Sequence, residues 1–111
     1  MQADKIVAYL GFAIKKGSVI FGVDAAEAYR KKIFLIVYDE TLSENSRKSA
    51  EKIRKKHKCT TIRFKGATLS EIVYRNNCKF VALTDKALSD AIEKNSGQSE
   101  NYEIYPWEEK E

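Results

Sequence analysis

Hydrophobic and polar positions alternate along the chain in a way that predicts helices and strands in turn. Apolar residues recur at helical spacing over residues 3–15, with Ile6, Leu10 and Ile14 on one stripe, so this stretch predicts a helix. Residues 18–21 are rich in strand formers and too short for a helix, and they predict a strand. A second helix over residues 24–32 begins after Gly22, where glycine allows the chain to turn.

Two later stretches, residues 33–38 and 79–83, are almost wholly apolar and predict central strands covered by helices on both faces. Between them, residues 44–57 form a charged surface helix with a thin apolar stripe and Ser43 as its N-cap. Residues 60–64 alternate apolar and polar side chains, which predicts a strand at the edge of the sheet. Thr68 and Glu71 match a capping box that opens a short helix to about residue 74, and Asp85 caps the last helix.

This order of elements predicts a single α/β domain, a three-layer α/β/α sandwich with a four-stranded mixed sheet and about five helices. The domain covers residues 1–95, and residues 96–111 form an acidic C-terminal tail. The tail contains Tyr102, Tyr105 and Trp107, so it is too apolar for a plain disordered segment. We expect it to pack on the domain or on a partner protein.

Charge is unevenly distributed between these two parts. Residues 1–95 hold 19 Lys and Arg against 11 Asp and Glu, a net charge of +8, whereas residues 96–111 carry a net charge of −4. A basic domain suits a polyanionic partner such as RNA, although surface charge also serves solubility. The chain shows no apolar run that could span a membrane and no secretory leader, and we expect a cytoplasmic protein with reduced cysteines.

Candidates for catalysis are few. The single histidine, His57, ends a charged helix and is expected to be a partly exposed surface or packing residue. Asp39 and Glu40 follow a central strand, where ligands often bind, but adjacent acidic residues in a loop usually serve turn chemistry. Because no metal-ligand spacing and no phosphate-binding loop are present, the sequence predicts no enzyme, no metal and no cofactor.

The sequence offers more candidate residues for contacting a polyanion than for catalysis. Lys15 and Lys16 supply charge, and the helix start at Gly22 supplies free backbone N–H groups. A polar loop supplies a guanidinium and amides, the groups that contact phosphates and base edges; it consists of Arg75, Asn76 and Asn77.

Four segments carry a family resemblance. Leu10-Gly11-Phe12-Ala13, followed by Lys16-Gly17 and Gly22, resembles the N-terminal signature of the kink-turn RNA-binding ribosomal proteins. This is the L-seven-Ae / L-thirty-e / Gadd superfamily, and the chain is most similar to its small bacterial YlxQ-like branch. Residues 43–48, 68–71 and 81–85 match further family segments in register, and the resemblance covers about residues 3–95.

The resemblance implies a sandwich that grips sharply bent RNA with the start of its second helix and with the loop before its fourth strand. By position, the first contact segment is Gly22, Val23 and Asp24, and the second is the loop of residues 75–77. Strong kink-turn binders have Asn-Glu where this chain has Asp24-Ala25, and a lysine where it has Ala28. Each lost charged hydrogen bond costs about 1.5–3 kcal/mol, so specificity is weakened, while binding through charge and backbone can persist. Ser70 also replaces a family glycine.

The expected protein is therefore a small, monomeric, non-catalytic, ribosomal-protein-type binder of ribosomal or other structured RNA. The alternative is a protein-interaction module on the same fold that has lost RNA binding and uses its tail to hold a partner. In a third arrangement, the acidic tail folds over the basic face and competes with RNA.

Overall fold

The computed structural model describes residues 4–73, 75–95 and 102–107, which form five helices and five strands. The helices are α1 (Asp4–Lys16), α2 (Val23–Ala28), α3 (Glu44–His57), α4 (Leu69–Val73) and α5 (Lys86–Asn95). The strands are β1 (Val19–Phe21), β2 (Leu35–Asp39), β3 (Thr60–Phe64), β4 (Phe80–Leu83) and β5 (Tyr102–Tyr105). The prediction of a mixed α/β fold with helices and strands in alternation is confirmed.

The strands form one mixed sheet in the order β1-β4-β2-β3-β5. Strands β2 and β3 are parallel, with Val37 opposite Ile62, and the other neighbouring pairs are antiparallel. The two most apolar strands, β2 and β4, lie side by side in the interior, as their sequences predict, and Leu35 lies opposite Leu83.

The predictions of four strands and of β3 as an edge strand are wrong. The fifth strand comes from the tail, where Tyr102–Tyr105 pairs antiparallel with β3 and places Ile104 opposite Ile62. Strand β3 is therefore interior, and β5 forms the edge. Apolar and polar side chains alternate in β3 although the strand is not at the edge. Arg63 lies on the polar side of the strand and pairs with Glu103 of the neighbouring strand at 3.0 Å.

The hydrophobic core lies on both faces of the sheet. On one face, α1, α4 and α5 pack against alternate residues of the strands; this cluster includes Leu10, Val37, Leu69, Val81 and Ile92. On the other face, α2 and α3 pack against the remaining strand residues; this cluster includes Ala26, Ile36, Ile53, Phe80 and Ala82. Residues 35–37 of β2 and all of β4 are apolar because successive side chains of these strands enter the two clusters in turn.

Helix α2 ends at Ala28, four residues before the predicted end. Tyr29 already has extended backbone angles, φ −70° and ψ 129°, and its side chain packs against the core cluster of α2 and α3. Ile33 is fully buried in the same cluster, so the chain leaves the helix early enough for both residues to reach the core. The basic residues that follow Tyr29 are consequently exposed outside any helix.

His57 is buried at the end of α3, where the sequence predicted partial exposure. Its Nδ1 accepts a hydrogen bond from the backbone N–H of Ile33 at 3.1 Å, and Lys32 donates to the His57 carbonyl. Burial, together with the charges of Lys56 and Lys32, lowers the pKa of His57 below its ordinary value. The neutral imidazole thus joins the end of α3 to the segment that enters β2.

We expect His57 to make the protein less stable as the pH falls. Because its pKa is lower in the folded state, the unfolded chain binds more protons below a pH of about 6.5, so the free energy of unfolding decreases there until the folded-state pKa is passed. The His57→Asn variant keeps an acceptor near the Nδ1 position and removes the titration. Urea unfolding at about pH 7.5 and about pH 5.5 measures the free energy of unfolding at each pH. Between these two pH values, the variant should lose less of this free energy than the wild type. An equal loss in both proteins would contradict this role.

Candidate nucleic-acid interface

The two contact segments predicted from the sequence lie next to each other in the fold. Gly22 follows β1, and its N–H donates to the carbonyl of Phe80, the first residue of β4, at 3.0 Å. The loop of residues 75–77 lies shortly before β4, and the Arg75 guanidinium carbon lies 4.0 Å from the centre of the Phe21 ring. We call residues 21–24 and 75–77 the junction surface.

Gly22 starts α2 with φ +90° and ψ 150°, a backbone conformation that L side chains rarely adopt. Glycine is therefore required here for its backbone freedom, since a Cβ at this position would meet no atom within 4 Å. Val23 is half-buried, and its side chain packs against the core cluster of α2 and α3; its contact with RNA stays a prediction. Asp24 is exposed in the first turn of α2 and places a negative charge beside the free N–H groups.

The loop of residues 75–77 is held in place by local hydrogen bonds. Ser70 Oγ on α4 accepts from the N–H of Cys78 at 2.9 Å and donates to the Cys78 carbonyl at 3.2 Å. Asn77 has φ +57°, in the left-handed region, which asparagine tolerates better than most residues. Arg75, Asn76 and Asn77 are all exposed. The loop therefore presents a guanidinium and two amides from a fixed backbone.

Lys15 and Lys16 do not join the junction surface. Both are exposed in the last turn of α1, but they lie near the opposite end of β4, where Lys16 pairs with Asp85. This ion pair and the hydrogen bond from the Leu88 N–H, 2.9 Å long, lower the pKa of Asp85. Lys16 thus has a structural partner at the start of α5, and both lysines lie apart from residues 22–24 in the fold; their contact with RNA stays a prediction.

Asp39 and Glu40 serve the loops at the junction end of the sheet, as turn chemistry predicts. Asp39 is 1% exposed; its Oδ1 accepts from the N–H and hydroxyl of Thr41, and its Oδ2 accepts from the N–H of Leu69 at 2.6 Å. The exposed Glu40 accepts from the N–H of Gly66 at 3.1 Å. The hydrogen-bonding capacity of Asp39 is therefore used inside the protein.

Most of the exposed positive charge lies away from the junction surface. One group of basic residues covers α3 and its end, and a second follows α2; the exposed members are Arg47, Lys48, Lys52, Lys55, Lys56 and Lys58, with Arg30, Lys31 and Lys32. Lys32 donates to the carbonyl of His57, so the two groups meet at the end of α3. We call these residues the basic surface. Such a concentration of positive charge is suited to a polyanion and does not by itself recognise a base.

The described part of the tail packs on the domain and engages other basic residues. The Glu103 carboxylate lies 3.0 Å from Arg63 and 4.0 Å from Lys65. Hydrogen bonds from Tyr105 and Arg63 lower the pKa of Glu103. Arg54 donates to the Pro106 carbonyl and lies 5.1 Å from the centre of the Trp107 ring. The tail therefore contacts Arg63, Lys65 and Arg54, three basic residues for which the sequence alone indicates no partner.

Sequence reasoning missed two residues that shape the junction surface. The sequence indicates Phe21 only as a strand residue, although its ring contacts the Arg75 guanidinium. It shows Ser70 only as a departure from the family glycine, although this side chain fixes the loop through Cys78. Their positions next to Gly22 and in the capping box were visible, but the pairing of β1 with β4 that brings them together is a long-range contact.

Comparisons with models of known protein families and with curated proteins find no match to this chain. Within the described residues, no helix has the length and apolar character of a membrane span. The same part of the chain holds no group of three or more His, Cys, Asp or Glu side chains that could bind a metal ion.

We expect Asp39→Asn to destabilise the protein by about 1.5–3 kcal/mol, because an amide nitrogen cannot accept the hydrogen bond from Leu69. Glu40→Gln is the matched control: because this side chain is exposed, the free energy of unfolding should change by no more than about 0.5 kcal/mol. Urea unfolding measures the free energy of unfolding of both variants. Equal stabilities of the two variants would contradict the structural role of Asp39.

The Ser70→Ala variant should loosen the loop of residues 75–77. It removes both hydrogen bonds to Cys78, and we expect a loss of about 1–2 kcal/mol together with faster amide exchange at Cys78. Ser49→Ala, at a half-buried position of α3, controls for the gain in helix propensity that both changes bring. Unchanged exchange at Cys78 would show that Ser70 does not hold the loop.

Proposed function

We propose that this chain is a small, non-catalytic RNA-binding protein of the ribosomal-protein type, a three-layer α/β/α sandwich that binds kinked RNA and associates with the ribosome. One observation carries the proposal: the fold places the Gly22 segment beside the loop of residues 75–77, with Arg75 over Phe21. These are the two segments that the resemblance to the kink-turn RNA-binding family assigns to RNA. Their adjacency is what a single bent RNA would require.

The junction surface offers suitable groups but little net charge. Arg75 can donate to phosphate or to a guanine edge while its guanidinium face rests on Phe21. Asn76 and Asn77 can donate to and accept from bases, whereas Asp24 repels phosphate. Since Ala25 and Ala28 are exposed but carry no polar side chain, base recognition must depend mainly on the loop.

The basic surface supports the proposal in a different way. Its lysines and arginines would attract the flanking arms of a structured RNA and make binding strongly dependent on salt. The expected protein therefore combines general affinity from α3 with shape recognition at the junction surface.

The cysteine and histidine side chains, which could act in catalysis, are buried or hydrogen-bonded within the protein, and this supports the non-catalytic part of the proposal. Burial raises the pKa of Cys59 to about 11 and also raises the pKa of Cys78, so neither thiol is a ready nucleophile. The Nδ1 atom of His57 accepts a backbone hydrogen bond. The described tail residues pair with β3, and this favours RNA binding over the alternative in which the tail holds a protein partner.

The proposal is tested by titrating the protein with a kink-turn hairpin and with an unkinked hairpin that has the same number of phosphates, in a series of salt concentrations. We expect tighter binding to the kinked RNA and affinity for both that falls steeply as salt rises. Arg75→Gln should weaken binding to the kinked hairpin about tenfold, the loss expected for one charged hydrogen bond.

Lys94→Gln is the control, because it removes one positive charge from an exposed position on α5. It should change affinity by less than about twofold. Absence of binding to either RNA at low salt would refute the proposal. Equal binding to both hairpins, with Arg75→Gln no weaker than the control, would leave a general RNA binder without kink recognition.

A further inference from the structure

A cavity of about 250 Å³ lies between α3 and the outer strands of the sheet. Its sheet wall consists of Tyr38, Thr61 and Tyr105, and its helix wall consists of Arg47, Ala50, Glu51 and Arg54. Strand β1 and strands β3 and β5 lie on opposite sides of the sheet, and Phe21 packs on the opposite face. The cavity is therefore separate from the junction surface.

The cavity results from the polar character of one side of β3. Ile62 and Phe64 enter the core of α1, α4 and α5, so the alternation of the strand turns Thr61 and Arg63 toward α3. On α3, Ala50 and Ile53 pack on the apolar part of the sheet, and the small side chain of Ala50 fills little of the space beside Thr61. Apolar side chains therefore do not fill the space between α3 and the polar side of β3.

The Thr61 hydroxyl is a buried polar group in the cavity wall. Thr61 is 4% exposed, and its Oγ1 has no hydrogen-bond partner. Buried hydroxyl groups in folded proteins are usually paired, since an unpaired one is costly. The hydroxyl can both donate to and accept from a bound molecule.

The mouth of the cavity offers one available cation. Arg47 is exposed and makes no ion pair with any described residue. Arg54 is engaged instead, because it donates to Glu51 at 3.3 Å and to the Pro106 carbonyl at 3.3 Å. An open groove of about 400 Å³ continues from Tyr38 and Arg47 to Lys48, and the carboxylates of Glu44 and Glu51 also line it.

We propose that this cavity binds one nucleotide unit. The base lies against Tyr38 and Tyr105 and hydrogen-bonds to Thr61, and its phosphate binds Arg47. Aromatic side chains that stack on a base and an arginine that binds its phosphate form a combination found in sites for unpaired nucleotides. The volume lies just under the ~300–1,000 Å³ of typical ligand pockets, so the site suits a single base. The unit is either a free mononucleotide or one residue of a single strand.

The test uses the full chain, labelled with nitrogen-15, and follows its amide signals by NMR. The probes are adenosine monophosphate, a short oligoadenylate and inorganic phosphate. Shifts at Tyr38, Thr61 and Tyr105 with adenosine monophosphate identify a free-nucleotide site, and shifts with the oligoadenylate alone identify a strand site. The proposal is overturned if no probe shifts these signals, or if phosphate shifts them as strongly as the nucleotides do.

Two variants with a matched control sharpen the test. Arg47→Gln should weaken nucleotide binding about tenfold, whereas Lys52→Gln, which removes a charge from the same helix outside the cavity, should change it by less than about twofold. Thr61→Val should weaken binding about fivefold and leave the melting temperature unchanged or higher, because it removes an unpaired hydroxyl. A lower melting temperature with unchanged nucleotide binding would overturn the role of Thr61.

The site can be tested separately from the proposed RNA-binding function. Arg75→Gln should leave binding of adenosine monophosphate unchanged, since Arg75 lies on the other face of the sheet. Failure of the hairpins to bind, with nucleotide binding intact, would refute only the kinked-RNA proposal. Loss of nucleotide binding in Arg75→Gln would refute the separate site.

Discussion

The buried carboxylate of Asp39 is the constraint on which the junction end of the molecule depends. A buried charge must be hydrogen-bonded, and this one ties the loop after β2 to the start of α4 through Thr41 and Leu69. The backbone N–H of Asp39 also donates to the carbonyl of Lys79, which leads into β4. Because α4 and the start of β4 flank the loop of residues 75–77, this network helps to hold the loop beside Phe21.

The sheet separates two kinds of surface. One face is covered by α1, α4 and α5 over a continuous apolar core, and Phe21 of the junction surface packs on this face at the β1 edge of the sheet. The other face is apolar under α2 and the inner side of α3 but polar toward β3 and β5, where Thr61 and Arg63 lie. The junction surface and the small cavity therefore lie on different parts of one small domain, while the basic surface shares Arg47 with the cavity wall.

The pairing of β5 with β3 gives the acidic tail a structural role in the sheet. A free tail with three aromatic residues suggested a partner-binding segment or a competitor of RNA. In the fold, Tyr102 is buried in the core and Glu103 neutralises Arg63, so the described part of the tail completes the sheet. The same pairing brings Tyr105 to the wall of the cavity beside Thr61.

Local pattern in the sequence determined the order of the first nine elements, the interior positions of β2 and β4, and the caps at Ser43 and Asp85. These features depend on neighbouring residues, whose spacing shows burial and capping directly. Only the tertiary structure decided the fifth strand, the burial of His57, the separation of Lys16 from Gly22 and the contact of Arg75 with Phe21. The contacts behind these outcomes join residues far apart in the chain: β5 with β3, His57 with Ile33, Lys16 with Asp85, and Arg75 with Phe21. Strand pairing between distant segments leaves no periodic signal in either one.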